Sequence, residues 1–311
     1  LAWISLYNGA INGEASERMV TAIKAFQKDH GAKETGVLNA QERSTLSAAA
    51  RKLQENVGWK IMSDATSGAR IGRPGSAPED RVEMRGGIWR FNPESLRMEV
   101  FTRGGCNPWG HHWDQYGNSF FTDGAGGKGI YHAMEGATYF TYSDMRREAD
   151  SISPGNYPKF ASLERIHSPA FPADWQGNLI TCDFRAHRVV RFSLKEVGST
   201  FQTVEMPDVL RTTNVTFRPI DLRMGPDGAL YIVDMYRRVI EHPTWIPAAW
   251  QKILGDLRAG SDLGRIYRVV SASTPLRPIP RLDRADAAGL VAALENPSGT
   301  VRDLAQQELT W

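Results

Sequence analysis

The chain has 311 residues, 41% hydrophobic and 23% charged, a balance that excludes disorder over most of its length. Lys and Arg number 37 against 35 Asp and Glu, a formal net charge of +2, which argues against a dedicated nucleic-acid binder. No run of about 18 apolar residues occurs, so no membrane-spanning helix is expected. The chain opens at Leu1 with no Met and no signal-like region, and stops at Trp311 directly after an amphipathic segment. It therefore reads as a fragment at both ends.

Residues 1–57 read as helical. Met19, Val20, Ile23 and Phe26 fall on one face of a helix over Ser16–Lys28, which Gly31 and Gly36 end. Asn39, with Glu42 three residues on, predicts a capping box that starts a second helix through Leu46 and Leu53. Before them, Leu6-Tyr7-Asn8-Gly9-Ala10-Ile11-Asn12-Gly13 is a turn-rich loop. Residues 58–81 are expected as a linker, because Gly72, Pro74, Gly75, Ser76 and Pro78 crowd together there.

Residues 82–271 alternate short β-branched and aromatic runs with Gly, Asn, Asp and Pro turns. Three segments share one frame, Gly117-Asn118-Ser119-Phe120-Phe121-Thr122-Asp123, Gly177-Asn178-Leu179-Ile180-Thr181-Cys182-Asp183 and Gly228-Ala229-Leu230-Tyr231-Ile232-Val233-Asp234. Each runs from a turn glycine through a strand to an aspartate, at a spacing of about 50–60 residues, near that of a propeller blade with insertions. Gly87–Phe91, Arg188–Phe192 and Arg265–Val269 read as third strands. The fold class is therefore mainly β, a partial propeller of about three to four blades with a small N-terminal helical domain. Residues 284–311 carry two apolar stripes around Pro297-Ser298, a HEAT-like helical pair.

Several residue groups bear chemistry. Cys106 and Cys182 match no zinc, redox or covalent haem pattern, and read as two buried thiols or as one disulfide. Gly124–Gly129 lacks the ending of a phosphate loop and reads as a blade loop. Asp123, Asp183 and Asp234 suit either a calcium ion or the capping of their own turns, with capping favoured. Tyr139–Tyr142 and Trp245–Trp250 suit packing first and sugar stacking second. No metal site is assigned.

Aligning Gly117 with Gly228 places His112 opposite Arg223, and Gly110 opposite Asp221. Offsets of two put His112, Asp114, Asp221 and Arg223 on one face of the innermost strands, lining a central tunnel. There His112 suits a proton acceptor and Arg223 a stabiliser of developing negative charge. The Gly177 frame has Pro172 at the same offset, so only two blades are expected to carry the polar wall.

The segments Leu6-Tyr7-Asn8-Gly9, Ile11-Asn12-Gly13, Thr21–Gln27 and Thr35-Gly36-Val37-Leu38 resemble the peptidoglycan-binding-like three-helix domain. That resemblance implies wall binding through Tyr7, Asn8 and Asn12, the last being Asp in the family pattern. Residues 82–311 resemble the planctomycete-type membrane-bound dehydrogenase family, a six-bladed propeller of the glucose/sorbosone dehydrogenase kind. Gly87–Phe91, Asn107-Pro108-Trp109-Gly110, Arg218–Asp221, Gly225–Gly228, Asp234-Met235-Tyr236 and Leu263–Val269 carry it. It implies oxidation of a sugar or alcohol, with pyrroloquinoline quinone or a partner haem c taking the electrons. A periplasmic or cell-envelope location follows from both resemblances, with a carbohydrate or wall glycan and an electron-transfer protein as partners. The alternative is a non-catalytic propeller scaffold that binds glycan or protein.

Overall fold

The computed structural model describes residues 17–57, 62–64, 68–71, 77, 79, 81–84, 86–92, 97–124, 128–139, 149–155, 157 and 159–310. Two compact units emerge. One comprises residues 1–84, 280–296 and 301–311, and the other 85–279 and 297–300.

In the first unit, α1 (Glu17–Asp29) buries Ala22, Ile23 and Phe26, as its periodicity predicts. Gln27 is also fully buried, and every polar position of its amide is used. Its Nε2 donates to Thr35 Oγ1, the Val37 carbonyl and Glu42 Oε2 at 2.9–3.1 Å, while Oε1 accepts from Gly36 N at 2.9 Å. The predicted capping box opens α2 (Ala40–Val57). Glu42 N donates to Asn39 Oδ1 at 2.9 Å, and Asn39 N donates to Glu42 Oε2 at 2.8 Å. Glu42 thus caps its own helix and anchors the buried amide of α1. Among the described residues no helix is long and apolar enough to cross a membrane.

The stretch expected as a linker carries β1 (Met62–Asp64) and β2 (Gly68–Ile71), which form a three-stranded antiparallel sheet with β3 (Val82–Met84). The Gly/Pro/Ser run between β2 and β3 lies outside the described residues.

The second unit holds four antiparallel sheets in chain order. The first is β4 (Gly87–Asn92) with β5 (Arg97–Arg103), and the second is β6 (Pro108–Trp113), β7 (Ser119–Asp123) and β8 (Ile130–Ala133). The third is β9 (Phe160–Arg165), β10 (Leu179–Asp183), β11 (Arg188–Val197) and β12 (Thr200–Arg211). The fourth is β13 (Pro219–Met224), β14 (Leu230–Asp234) and β15 (Arg265–Val269), with the short α3 (Ala248–Leu254) between β14 and β15. All three Gly-to-Asp frames form the second strand of a sheet, and Arg188–Phe192 and Arg265–Val269 lie in third strands. Among the described residues β4 pairs only with β5.

Each sheet packs on the next through its own apolar cluster. Phe121, Tyr131 and Tyr139 meet Ile88 and Phe101 between the first and second sheets. Phe120 and Ile130 meet Phe160, Leu179 and Phe192 between the second and third. Ile180, Cys182 and Val189 meet Leu222, Leu230 and Ile232 between the third and fourth. The frame aspartates close their own sheets. Asp123 accepts from Cys106 N and Asn107 N, Asp234 from Arg218 N and Tyr236 N, and Asp183 from Ala186 N and Arg188. Both cysteines are free thiols, Cys182 deeply buried.

The C-terminal helices α4 (Ala287–Ala293) and α5 (Gly299–Thr310) bury Leu290, Val301 and Ala305, while Val291, Leu294, Leu304 and Leu309 of the predicted stripes stay exposed. Asp286 caps α4 through Gly289 N at 2.8 Å.

β6 and β9 approach each other closely at Gly110. A Cβ on Gly110 would sit 2.0 Å from the Ser162 carbonyl carbon, so no side chain fits there without moving one strand. Gly110→Ala is therefore expected to lower stability by more than about 3 kcal/mol. Gly117→Ala is the control, since its Cβ would meet nothing within 4 Å. Its positive φ limits that cost to about 1–2 kcal/mol. Denaturant unfolding of both variants checks the order, and equal losses would refute it.

Candidate functional site

β6, β9 and β13 are the first strands of three consecutive sheets, each paired antiparallel to a frame strand. Their registers coincide, because Pro108 pairs with Asp123, Phe160 with Asp183 and Pro219 with Asp234. Counting on from these three residues, the second position holds Gly110, Ser162 and Asp221, and the fourth holds His112, Glu164 and Arg223. Each of the three ladders also slips just after this start, a β-bulge of the kind that re-aims side chains.

The two layers are joined by direct contacts. His112 Nε2 lies 2.7 Å from Glu164 Oε1, with the glutamate 8% exposed and the histidine 26%. Ser162 Oγ donates to Asp221 Oδ1 at 2.5 Å and accepts from Arg223 Nη1 at 2.9 Å. Arg223 Nη1 also reaches the Leu222 carbonyl at 2.8 Å and the Leu163 carbonyl at 3.3 Å, and pairs with Asp221 at 3.2 Å. Ser162 sits at φ 65°, a left-handed conformation that costs a non-glycine residue about 1–3 kcal/mol. Three sheets thus converge on one cluster of two carboxylates, one imidazole, one hydroxyl and one guanidinium.

The two adjacent histidines differ sharply. Burial pushes His111 down to about 4, helped by the charge of His112, and its Nε2 is hydrogen-bonded to Ser119 Oγ at 2.7 Å. Burial also opposes charge on His112, but the hydrogen bond and charge of Glu164, with the Trp113 carbonyl, outweigh it and raise its pKa. Nδ1 donates to that carbonyl at 2.6 Å, so the titrating proton is the one between Nε2 and Glu164.

The sequence expectations for this site divide. Asp221 pairs with Arg223, and the charge of Arg223 acts on His112. Asp114 does not join them, because β6 ends at Trp113 and the aspartate closes the following turn. Its Oδ1 accepts from Tyr116 N and Asn118 N at 2.9 Å, and its Oδ2 from Asn118 Nδ2 at 2.8 Å. The polar wall is not confined to two sheets, since β9 supplies Ser162 and Glu164. Fixed offsets from Gly177 land on Pro172 because the loop 166–178 separates β9 from its frame glycine. The readable signal is the alternation Ala161-Ser162-Leu163-Glu164, polar at every second residue inside an apolar run. Tyr7, Asn8 and Asn12 lie outside the described residues, as do residues 125–127 of the glycine-rich loop and 140–142 of the aromatic run. Tyr139 is core, whereas Trp245 and Trp250 are exposed. Among the described residues no three His, Cys, Asp or Glu gather as a metal site.

The histidine pair gives the fold a pH signature. His112, raised above the unfolded value of about 6.5, contributes stability that is full below that pH and is lost as pH rises through its folded pKa. His111 contributes stability that is full above about 6.5 and is lost as pH falls towards about 4. Glu164→Gln is expected to bring the His112 titration, followed by imidazole NMR, below its ordinary value, since burial and Arg223 then act with less opposition. An unchanged titration would refute the pairing.

Residues 56–273 match the model of a domain of unknown function, DUF7133, and residues 1–46 match that of the peptidoglycan binding domain family. No curated protein matches the chain at a significant level. Among solved structures, the chain is similar to a glucose dehydrogenase-type oxidoreductase from Thermus thermophilus. That match has 19% identity and a TM-score of 0.40, and covers 70% of this chain and 57% of that one. It is also similar to the soluble aldose sugar dehydrogenase of Escherichia coli in its apo form, at 20% identity and a TM-score of 0.36, covering 56% and 60%. The PQQ-bound aldose sugar dehydrogenase of Streptomyces coelicolor gives 16% identity and 0.37, covering 53% and 51%. The chain thus spans 51–60% of the length of these three proteins, and likenesses at this level assign neither substrate nor cofactor. The family model covers well over half of the chain, which therefore belongs to the DUF7133 family.

Proposed function

We propose that the His112–Glu164–Arg223 cluster binds a hydroxyl-bearing carbohydrate or alcohol and takes up its hydroxyl proton, the acid–base half of a dehydrogenation. In this reading the four sheets of the second unit are blades of a partial six-bladed-type β-propeller. The match of residues 1–46 to a peptidoglycan binding domain supports a periplasmic or cell-envelope setting. The single observation that carries the reading is the 2.7 Å contact between His112 and the nearly buried Glu164. A histidine whose second nitrogen is fixed by a carbonyl and whose first is poised by a carboxylate is a positioned proton acceptor. Once the proton between Nε2 and Glu164 is lost, the hydrogen bond that held them together is gone, and the substrate hydroxyl enters between them and gives its proton to Nε2. Arg223 offsets the negative charge that develops on the oxygen. The electron pair of the neighbouring C–H bond leaves as hydride to a diffusible two-electron acceptor of the quinone class, and the carbon becomes a carbonyl.

The cluster itself does not fit pyrroloquinoline quinone. A tricarboxylate needs several cationic partners, whereas this cluster offers one guanidinium, already paired with Asp221, beside the further carboxylate of Glu164. No step is assigned to that group.

The test incubates the full chain with an artificial electron acceptor, with and without added quinone, and screens sugars and alcohols for acceptor reduction. Turnover is expected to rise with pH through the raised His112 pKa, above the ordinary imidazole value. His112→Ala is expected to lose about 100-fold or more, and Arg223→Ala to lower turnover as well. Sugar binding without acceptor reduction at any pH would overturn the proposal in favour of a glycan-binding scaffold.

A further inference from the structure

Arg223 is held at one corner and is half exposed, unlike three arginines of its unit that are pinned by several partners or by a buried carboxylate. Arg218 donates from Nε and both Nη atoms to the carbonyls of Arg237, Phe184 and Arg238. Arg188 engages Asp183, Glu205 and Asp208, and Arg268 pairs with the buried Asp227. Arg223 makes all its hydrogen bonds through Nη1, to Ser162, Leu163 and Leu222, with Asp221 beside the same nitrogen. Its Nε and Nη2 donate to no described residue, and the side chain is 54% exposed. The guanidinium is therefore fixed at one corner, while its Nε–Nη2 edge, which can hold a carboxylate by two parallel hydrogen bonds, has no partner among the described residues. Neither neighbouring carboxylate competes for that edge. Asp221 is engaged by Ser162 and Nη1, and Glu164 by His112.

We propose that Arg223 is a carboxylate-binding residue, so that the ligand of this cluster is an acidic one, a sugar acid or hydroxy acid carrying a carboxylate beside its hydroxyls. One fixed edge takes one carboxylate, which is why the same geometry that fails a tricarboxylate suits a monoacid. The charge of Arg223 also acts on His112, so the two groups belong to one cluster. Ser162 acts as a positioning residue, since its hydroxyl ties Nη1 to Asp221 across two sheets. The inference rests on the reading above for the role of the hydroxyl, but the carboxylate subsite is tested by binding alone.

The experiment compares glucuronate with glucose as probes of the full chain, by calorimetry at neutral pH and low salt. Glucuronate is expected to bind at least tenfold more tightly. Arg223→Gln should abolish that preference and Arg223→Lys should keep part of it. Ser162→Ala should cut the ratio of glucuronate to glucose affinity several-fold, whereas a merely structural loss would weaken both probes alike. Arg211→Gln, on a solvent-facing arginine outside the cluster, should leave the preference intact. Equal affinity for the two probes, or a preference that survives Arg223→Gln, overturns the inference. Tight glucuronate binding through Arg223 without acceptor reduction would sink the dehydrogenation reading and leave this one standing. Oxidation of neutral sugars with no acid preference would do the reverse.

Discussion

The contact on which the site depends is the near-touching of two backbones, Gly110 in β6 and Ser162 in β9. Ordinary sheet packing leaves about 10 Å between faces, too far for short polar side chains on neighbouring sheets to meet. With no side chain on Gly110, the second and third sheets close in at one edge. Two residues further on, His112 and Glu164 fall within hydrogen-bonding reach. The left-handed turn at Ser162 belongs to the same constraint, because it directs the hydroxyl forward to the fourth sheet and the Asp221–Arg223 pair. One absent side chain and one strained backbone thereby bring three sheets to a common point.

Much of this was legible in the amino-acid order. The three Gly-to-Asp frames form second strands, the capping box at Asn39 and Glu42 forms with both reciprocal hydrogen bonds, and Asp221 pairs with Arg223, whose charge acts on His112. The missing parts share one cause. Fixed offsets from a glycine assume loops of constant length, and the loop between β9 and β10 is longer than its counterparts. The count therefore reached Pro172 instead of Glu164. Asp114 failed for the opposite reason. Strand alternation was carried one residue past the end of β6, into a turn where backbone amides outcompete any distant partner for the carboxylate. Strands at 62–64 and 68–71 were hidden by the Gly/Pro/Ser run beside them.

Electrostatic environment, not residue type, separates the adjacent histidines. His111 turns towards Ser119 and the edge of Trp113, where nothing repays the burial of a charge, and it is held neutral. His112 turns towards a carboxylate that is itself nearly buried, and each charge lowers the cost of burying the other. The pair shows how a dipeptide repeat can supply one inert ring and one titrating ring within a single strand.

The coincidence of register in β6, β9 and β13 has a consequence for how such a site changes over time. Each layer draws one residue from each sheet, at a position fixed by the strand's pairing with its closing aspartate. Gly, Ser and Asp fill one layer, and His, Glu and Arg the other. Apart from Gly110, which admits no side chain, each such position is a single codon on a separate structural module, whose folding is secured elsewhere by its apolar cluster and its aspartate. A lineage can therefore rewrite the chemistry of the face one module at a time, exchanging base for acid or cation for hydroxyl, while the scaffold that presents it stays the same.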